Sequence, residues 1–203
     1  MSLSQIQFTK PVLFVVCLIP AGVLGWNFYH GQLGANPFEA LTRESGEWTL
    51  RFLLVTLFMT PLRAVLHQAW PLQLRRMLGL YSFFYACLHL LTYLWFDQFF
   101  DWQEITKDIL KRPFITVGIM AWILLLPLAV TSTNGMMRRL GRHWKRLHRS
   151  IYLIAVLGVL HFIWLVKADL REPLIYAGLL LVLLGYRLAK WWQKRAFLKV
   201  ARQ

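Results

Sequence analysis

The chain has 203 residues, enough for one medium domain. Hydrophobic residues make up 58% of it and charged residues 16%, against about 45–50% and about 25% in soluble proteins; with a mean hydropathy of +0.48, an ordinary water-soluble fold is excluded. The net charge of +14 would suggest nucleic acid in a soluble protein, but the apolar segments leave too little polar surface for that, so the charge needs a topological explanation.

A spanning helix needs about 20 mainly apolar residues. Six segments bounded by charges, Pro or Gly qualify, at roughly 11–29, 48–66, 77–96, 113–131, 150–166 and 173–190. The first continues past Pro20 to Tyr29 without a small-residue cleavage site, so it reads as a retained helix rather than a signal peptide. Pro20, Pro61 and Pro127 lie within or near span ends and should kink them. Trp26, Trp48, Trp95, Trp102 and Trp164 fall near one set of span ends, where amphipathic rings favour the interface. Cys17 and Cys87 both lie inside apolar runs, which argues against a disulfide framework or a cysteine metal site. No internal repeat is visible, and segments 30–47 and 97–112 read as the longest outer loops, the surface for a partner.

Cytoplasmic loops should collect Lys and Arg. Six spans place Lys10, Arg63, Arg75, Arg76, Arg138, Arg139, Arg142, Lys145, Arg146 and Arg149 on one side, together with Arg187, Lys190, Lys194, Arg195, Lys199 and Arg202 of the tail. That side has no acid. The other holds seven basic residues, Lys167 among them, and all nine acids. A missed or invented span would reverse every later loop and scramble this partition. The expected fold is therefore all-α: an integral membrane bundle of six transmembrane helices with both termini cytoplasmic, in one domain over 1–203. The basic face would hold orientation and meet anionic lipid.

An ionisable residue at membrane depth is a functional candidate by default. His30, His67 and His143 fall in loops or at span edges, but His89 (YACLHLLTY) and His161 (GVLHFIWLV) sit inside the third and fifth spans. Both lie roughly 8–10 Å below the outer end, and these two helices run the same way, so the imidazoles can face each other. With no cysteine or carboxylate at that depth, haem iron held from both sides fits the gap; zinc or copper would usually bring further ligands. The alternative is two separate interhelical hydrogen bonds. Ala86 and Gly158, three residues before each histidine, would let a flat macrocycle lie against the helix, or serve helix packing.

His148 precedes His161 by 13 residues, about 20 Å along the axis and over 200° around it, so it belongs either to a second site or to the interface. Arg75 and Arg76 are candidates for haem propionates or a flavin phosphate, and otherwise topology charges.

The segments TPLRAVL, RRMLGLYSFFYACLHLLTY, KRPFITVGIMAWILLLPLAVTST, LGRHWKRLHRSIYLIAVLGVLHFIWLVK and PLIYAGLL resemble the MsrQ or YedZ family of haem-binding membrane subunits of the bacterial methionine sulfoxide reductase system, as does GANPFEALTRESGEWTLRFLL. More distantly the chain is similar to the ferric reductase and NADPH oxidase transmembrane domain. The resemblance implies an inner-membrane b-type cytochrome that takes electrons from the quinone pool or a flavin reductase. It would pass them to a periplasmic molybdopterin enzyme that reduces methionine sulfoxide in envelope proteins. It also implies FMN, and it puts His89, His148 and His161 on the family's histidine motifs. The oxidase pattern carries two histidines on each ligand helix, whereas the inner position of the third span here is Arg75, which puts an ordinary second bis-histidine haem in doubt. No flavin or nicotinamide domain follows Gln203, so a separate donor is expected.

These readings converge on a bundle that carries electrons outward, with haem b between His89 and His161 as the exit station and the acidic outer loops, including Asp97, Asp101 and Glu104, as the docking face. Rival expectations are a direct ferric reductase, a passive anchor for a redox enzyme, and a haem-free transporter lined by the two histidines. Against the last, no acid falls in any expected span.

Overall fold

The computed structural model describes residues 3–166 and 168–200; Lys167 and Arg202 of the charge partition lie outside the described residues. The described chain is helical, without strands: α1 (Leu3–Tyr29), α2 (Pro37–Leu66), α3 (Trp70–Thr92), α4 (Trp102–Lys111), α5 (Pro113–Val130), α6 (Asn134–Leu140), α7 (Arg142–Leu147), α8 (Ile151–Leu165) and α9 (Arg171–Val200). Among the described residues six stretches are long and apolar enough to cross a membrane: Thr9–Tyr29, Pro37–Leu66, Trp70–Asp97, Pro113–Val130, Arg142–Leu165 and Arg171–Phe197. The chain is a multi-pass membrane bundle, with an acidic end and a basic end.

The expected spans are placed correctly but several start early. The second begins at Pro37, so most of the segment read as the first outer loop is helix. Asn36 caps it by accepting the Glu39 N–H at 3.3 Å, and Pro37 suits a first helical turn. Glu47 lies in this helix, buried, so an acid does enter a span; Arg43 at 3.2 Å and Arg51 at 2.5 Å, each one turn away, compensate it. The second expected loop holds α4, whose start Asp101 caps through the N–H groups of Gln103 and Glu104, while Glu104 pairs with Lys107 at 2.5 Å. At the basic end, α6 and α7 replace the expected loop, joined by Gly141 at φ +48°, a backbone angle that side chains disfavour. Trp48 packs against Phe52 and Tyr85, with the Arg51 guanidinium 4.7 Å above its ring.

Helix association in lipid relies on close packing and interhelical hydrogen bonds rather than on the hydrophobic effect. α2 is the central helix and packs most extensively on α3, as α5 does on α8, while α1 and α9 are the most peripheral. Some interhelical bonds form on ordinary helix carbonyls, as from Tyr81 to Phe14 and from Ser82 to Thr49; others form where a proline breaks the ladder. At the Pro20 break in α1, the fully buried Tyr85 hydroxyl donates to the Cys17 carbonyl at 2.8 Å and accepts from the Ala21 N–H at 3.0 Å. Those two groups are the i and i+4 partners of an unbroken helix, so the phenol has entered the ladder. Pro61 likewise leaves the Leu57 carbonyl without an i+4 donor. Arg187 of α9 supplies one at 2.8 Å, and also donates to Thr60 Oγ1 at 3.1 Å and to the Tyr152 hydroxyl.

Tyr85→Phe should therefore cost about 1–3 kcal/mol, because it leaves two groups on α1 unpaired. Thermal unfolding in detergent reads this; a Tm equal to that of the unsubstituted protein would contradict the clamp.

Candidate functional site

A cavity of about 650 Å³ opens at the acidic end of the bundle, between α2, α3, α5 and α8. Its walls are mainly apolar, including Leu50, Leu53, Trp122 and Leu125, and its mouth is polar, with Arg43, Asp97, Gln98 and Arg112. At the mouth Asp108 gathers Gln98 at 2.8 Å, Arg112 at 3.3 Å and the Tyr93 hydroxyl at 3.5 Å, which ties α4 to the end of α3.

His89 and His161 both line this cavity, with ring centres 6.0 Å apart and ring planes at 79°. His89 Nδ1 lies 2.7 Å from the Thr42 carbonyl, and His161 Nδ1 lies 2.6 Å from the Phe114 carbonyl. A carbonyl only accepts, so each Nδ1 carries the proton and each Nε2 keeps its lone pair. Among the described residues neither Nε2 has a hydrogen-bond partner. The expectation of facing imidazoles holds, and the alternative of separate interhelical bonds is met only at Nδ1.

Each ring also lies directly on a glycine. A Cβ on Gly46 would stand 2.9 Å from His89 Nδ1, and one on Gly118 would stand 2.8 Å from His161 Nδ1. In both cases the glycine is four residues after the accepting carbonyl. A helical carbonyl points towards residue i+4, so a missing side chain there opens a lane to its second lone pair. Ala86 and Gly158, singled out in the sequence, line the cavity too.

These contacts repeat. Thr42, Gly46, Ala86 and His89 recur 72 residues later as Phe114, Gly118, Gly158 and His161, and each histidine is 47 residues from its carbonyl. The helix pairs α2–α3 and α5–α8 are thus equivalent arms around the cavity, which corrects the reading of no internal repeat. Few side chains besides the glycine and histidine coincide at this offset, so little periodicity survives in the sequence. Gly46 fell in an expected loop and Gly118 in an apolar span, and neither is a residue type that marks a site; their shared spacing of 43 residues before a histidine was the available signal.

The other candidates lie apart. His148 is at the basic end, its Nε2 3.1 Å from Thr131 Oγ1 and its ring stacked on Trp144 at 3.9 Å. Thr131 already donates to the Pro127 carbonyl at 2.6 Å, so Nε2 donates to the threonine and Nδ1 is the nitrogen left open. Trp144 is held in turn by its indole N–H on the Thr131 carbonyl at 2.9 Å. Arg76 donates to Asn134 at the start of α6, and Arg75 lies within electrostatic range of His148 and Arg187. Neither arginine lines the cavity.

Two imidazole nitrogens bound to one metal at about 2.0–2.1 Å each put the ring centres roughly 5–6.5 Å apart, depending on the angle at the metal, a range that includes the 6.0 Å observed. No group of three or more His, Cys, Asp or Glu converges among the described residues. The pair therefore suits a metal that brings its remaining ligands with it.

Comparison with known proteins agrees in kind. The family described as ferric reductase like transmembrane component matches residues 45–159, a stretch that includes Gly46, His89, Gly118 and His148. Similar curated proteins include one from Rhodospirillum rubrum, 58% identical over 87% of this chain and 85% of its own length. Another from Herminiimonas arsenicoxydans is 52% identical over 95% and 89%, and one from Xanthomonas euvesicatoria 52% identical over 92% and 88%. Each is named protein-methionine-sulfoxide reductase heme-binding subunit MsrQ. No solved structure matches the chain significantly. On the extent of these matches, the chain belongs to the ferric reductase like transmembrane component family and to the MsrQ family.

Proposed function

We propose that this chain is a b-type cytochrome of the bacterial inner membrane, with both termini in the cytoplasm. In this reading it moves electrons from the quinone pool or a flavin reductase to a periplasmic molybdopterin methionine sulfoxide reductase. The observation that carries the reading is the pair of facing imidazoles, each with its Nδ1 proton committed to a carbonyl and its Nε2 open to one cavity. The names of the relatives supply the haem and the reductase.

The residues fit a haem. The cavity falls within the roughly 300–1,000 Å³ of cofactor sites, its walls are apolar, and the ring separation leaves room for one iron. His89 and His161 would hold its iron, and the group would supply one-electron chemistry. The chain's own part is to fix those ligands. The Thr42 and Phe114 carbonyls hold the tautomer and raise imidazole basicity, Gly46 and Gly118 set how closely each ring lies on its helix, and the apolar walls exclude water, which together tune a potential. Thr42 lines the cavity, and its buried hydroxyl has no partner among the described residues. His148 remains the candidate ligand for a second haem, and binding through Nε2 would require its contact with Thr131 to open. Support for FMN comes from the resemblance alone, and Arg75 and Arg76 remain candidates for a phosphate or propionate at the basic end.

The positive-inside rule supports the orientation: it puts the basic end in the cytoplasm and the cavity on the periplasmic side. Electrons would leave near the mouth formed by Arg43, Gln98 and Arg112.

A reduced-minus-oxidised spectrum with pyridine haemochrome counting on detergent-purified protein tests the assignment. The chain should carry b-type haem, and His89→Ala and His161→Ala should each lose the same one with helical content unchanged. A colourless protein from cells with ample haem would overturn the cytochrome and favour the transporter. Reduction of ferric chelates at full rate without the periplasmic enzyme would favour a direct ferric reductase.

Gly46→Ala and Gly118→Ala test the ligand seats. Each forces an imidazole off its carbonyl, an overpacking cost of about 1–3 kcal/mol, and should weaken haem retention by about tenfold. Unchanged retention together with an unchanged midpoint potential would contradict the role given to the glycines.

A further inference from the structure

A second concavity, of about 530 Å³, lies at the basic end between α2 and α9. It is lined by Thr60, Arg63, His67, Tyr186, Arg187 and Lys190, with no carboxylate. Arg187 is half buried and spends its hydrogen bonds on neutral acceptors, the Leu57 carbonyl and the hydroxyls of Thr60 and Tyr152, while its Nε is buried without a partner among the described residues. Arg75 adds a further positive charge within range. A half-buried guanidinium among like charges requires a counter-ion, and all nine acids of the chain belong to the opposite end.

We propose that this groove binds the headgroup phosphate of an anionic phospholipid. Arg63 and Lys190 reach the phosphate from either wall, with Arg187 behind them and the Tyr186 hydroxyl and His67 as further donors. A free phosphate would satisfy the charges alone, but the surface beyond them is apolar. Val182, Leu179 and Ile175 precede Tyr186 by 4, 7 and 11 residues, which sets them on its face of α9, and all three are exposed. That strip is about 16 Å long, about half the roughly 30 Å hydrocarbon core, so one acyl chain can lie along it with its phosphate in the groove. The site is independent of the haem assignment, and its occupant would brace α9, a peripheral helix, against α2.

The test is the phospholipid that stays bound to the full chain after extensive washing in mild detergent, measured by mass spectrometry and phosphorus content. Arg63→Gln with Lys190→Gln should retain about fivefold less anionic phospholipid than the unsubstituted chain. Arg138→Gln with Arg139→Gln, the same charge loss outside the groove, should retain the full amount. Excess inorganic phosphate should not displace the lipid, and zwitterionic phospholipid should not replace it. Equal losses in the two double variants would overturn the site in favour of diffuse surface charge, and displacement by inorganic phosphate would overturn the lipid. Should the first variant not fold, Lys190→Gln alone, on an exposed side chain, makes the same comparison.

Discussion

Each of the two cavity histidines gives its Nδ1 proton to a helix carbonyl that a glycine four residues later has left approachable, and the rest of the site follows from that contact. The bond selects the tautomer, the tautomer leaves Nε2 bare, and two packed helices hold the rings in one cavity with their centres 6.0 Å apart. A side chain at Gly46 or Gly118 would occupy the space of the ring itself. The chain builds the contact twice, on α2–α3 and on α5–α8, so a two-sided site arises from repeating one local device rather than from four independent placements.

The bundle around it is held by another device. Prolines free carbonyl or amide groups inside α1 and α2, and polar side chains from neighbouring helices take them up: Tyr85 at the Pro20 break and Arg187 at Pro61. In lipid an unsatisfied backbone group is costly, so each break becomes a specific interhelical tether. Arg187 was counted in the sequence as a topology charge; its place against the Leu57 carbonyl reveals a structural role that only the pairing of α2 with α9 makes visible.

Much of the architecture was legible because its causes are one-dimensional. Apolar run length gives the spans and charge partition gives their alternation, and helix rise alone puts His89 and His161 at matching depth. What escaped depends on contacts across helices or on polar residues that pair after folding. The first turns of α2 looked like a loop because Glu39, Arg43, Glu44 and Glu47 are charged, until the Arg43–Glu47–Arg51 pairing is seen. The glycine seats escaped because their partners are backbone carbonyls, which leave no trace in residue type, and the repeat escaped because it conserves spacing rather than side chains. His148 was visible as a candidate, yet its engagement with Thr131 and Trp144 rests on the Gly141 turn that folds α7 back beneath α5.

The central claim, one iron held between His89 and His161, is tested most directly by the electron paramagnetic resonance spectrum of the oxidised protein. An iron held by two imidazoles predicts a low-spin ferric signal, lost in His89→Ala and in His161→Ala. A high-spin signal in the unsubstituted protein, or a low-spin signal that survives either substitution unchanged, would contradict the account.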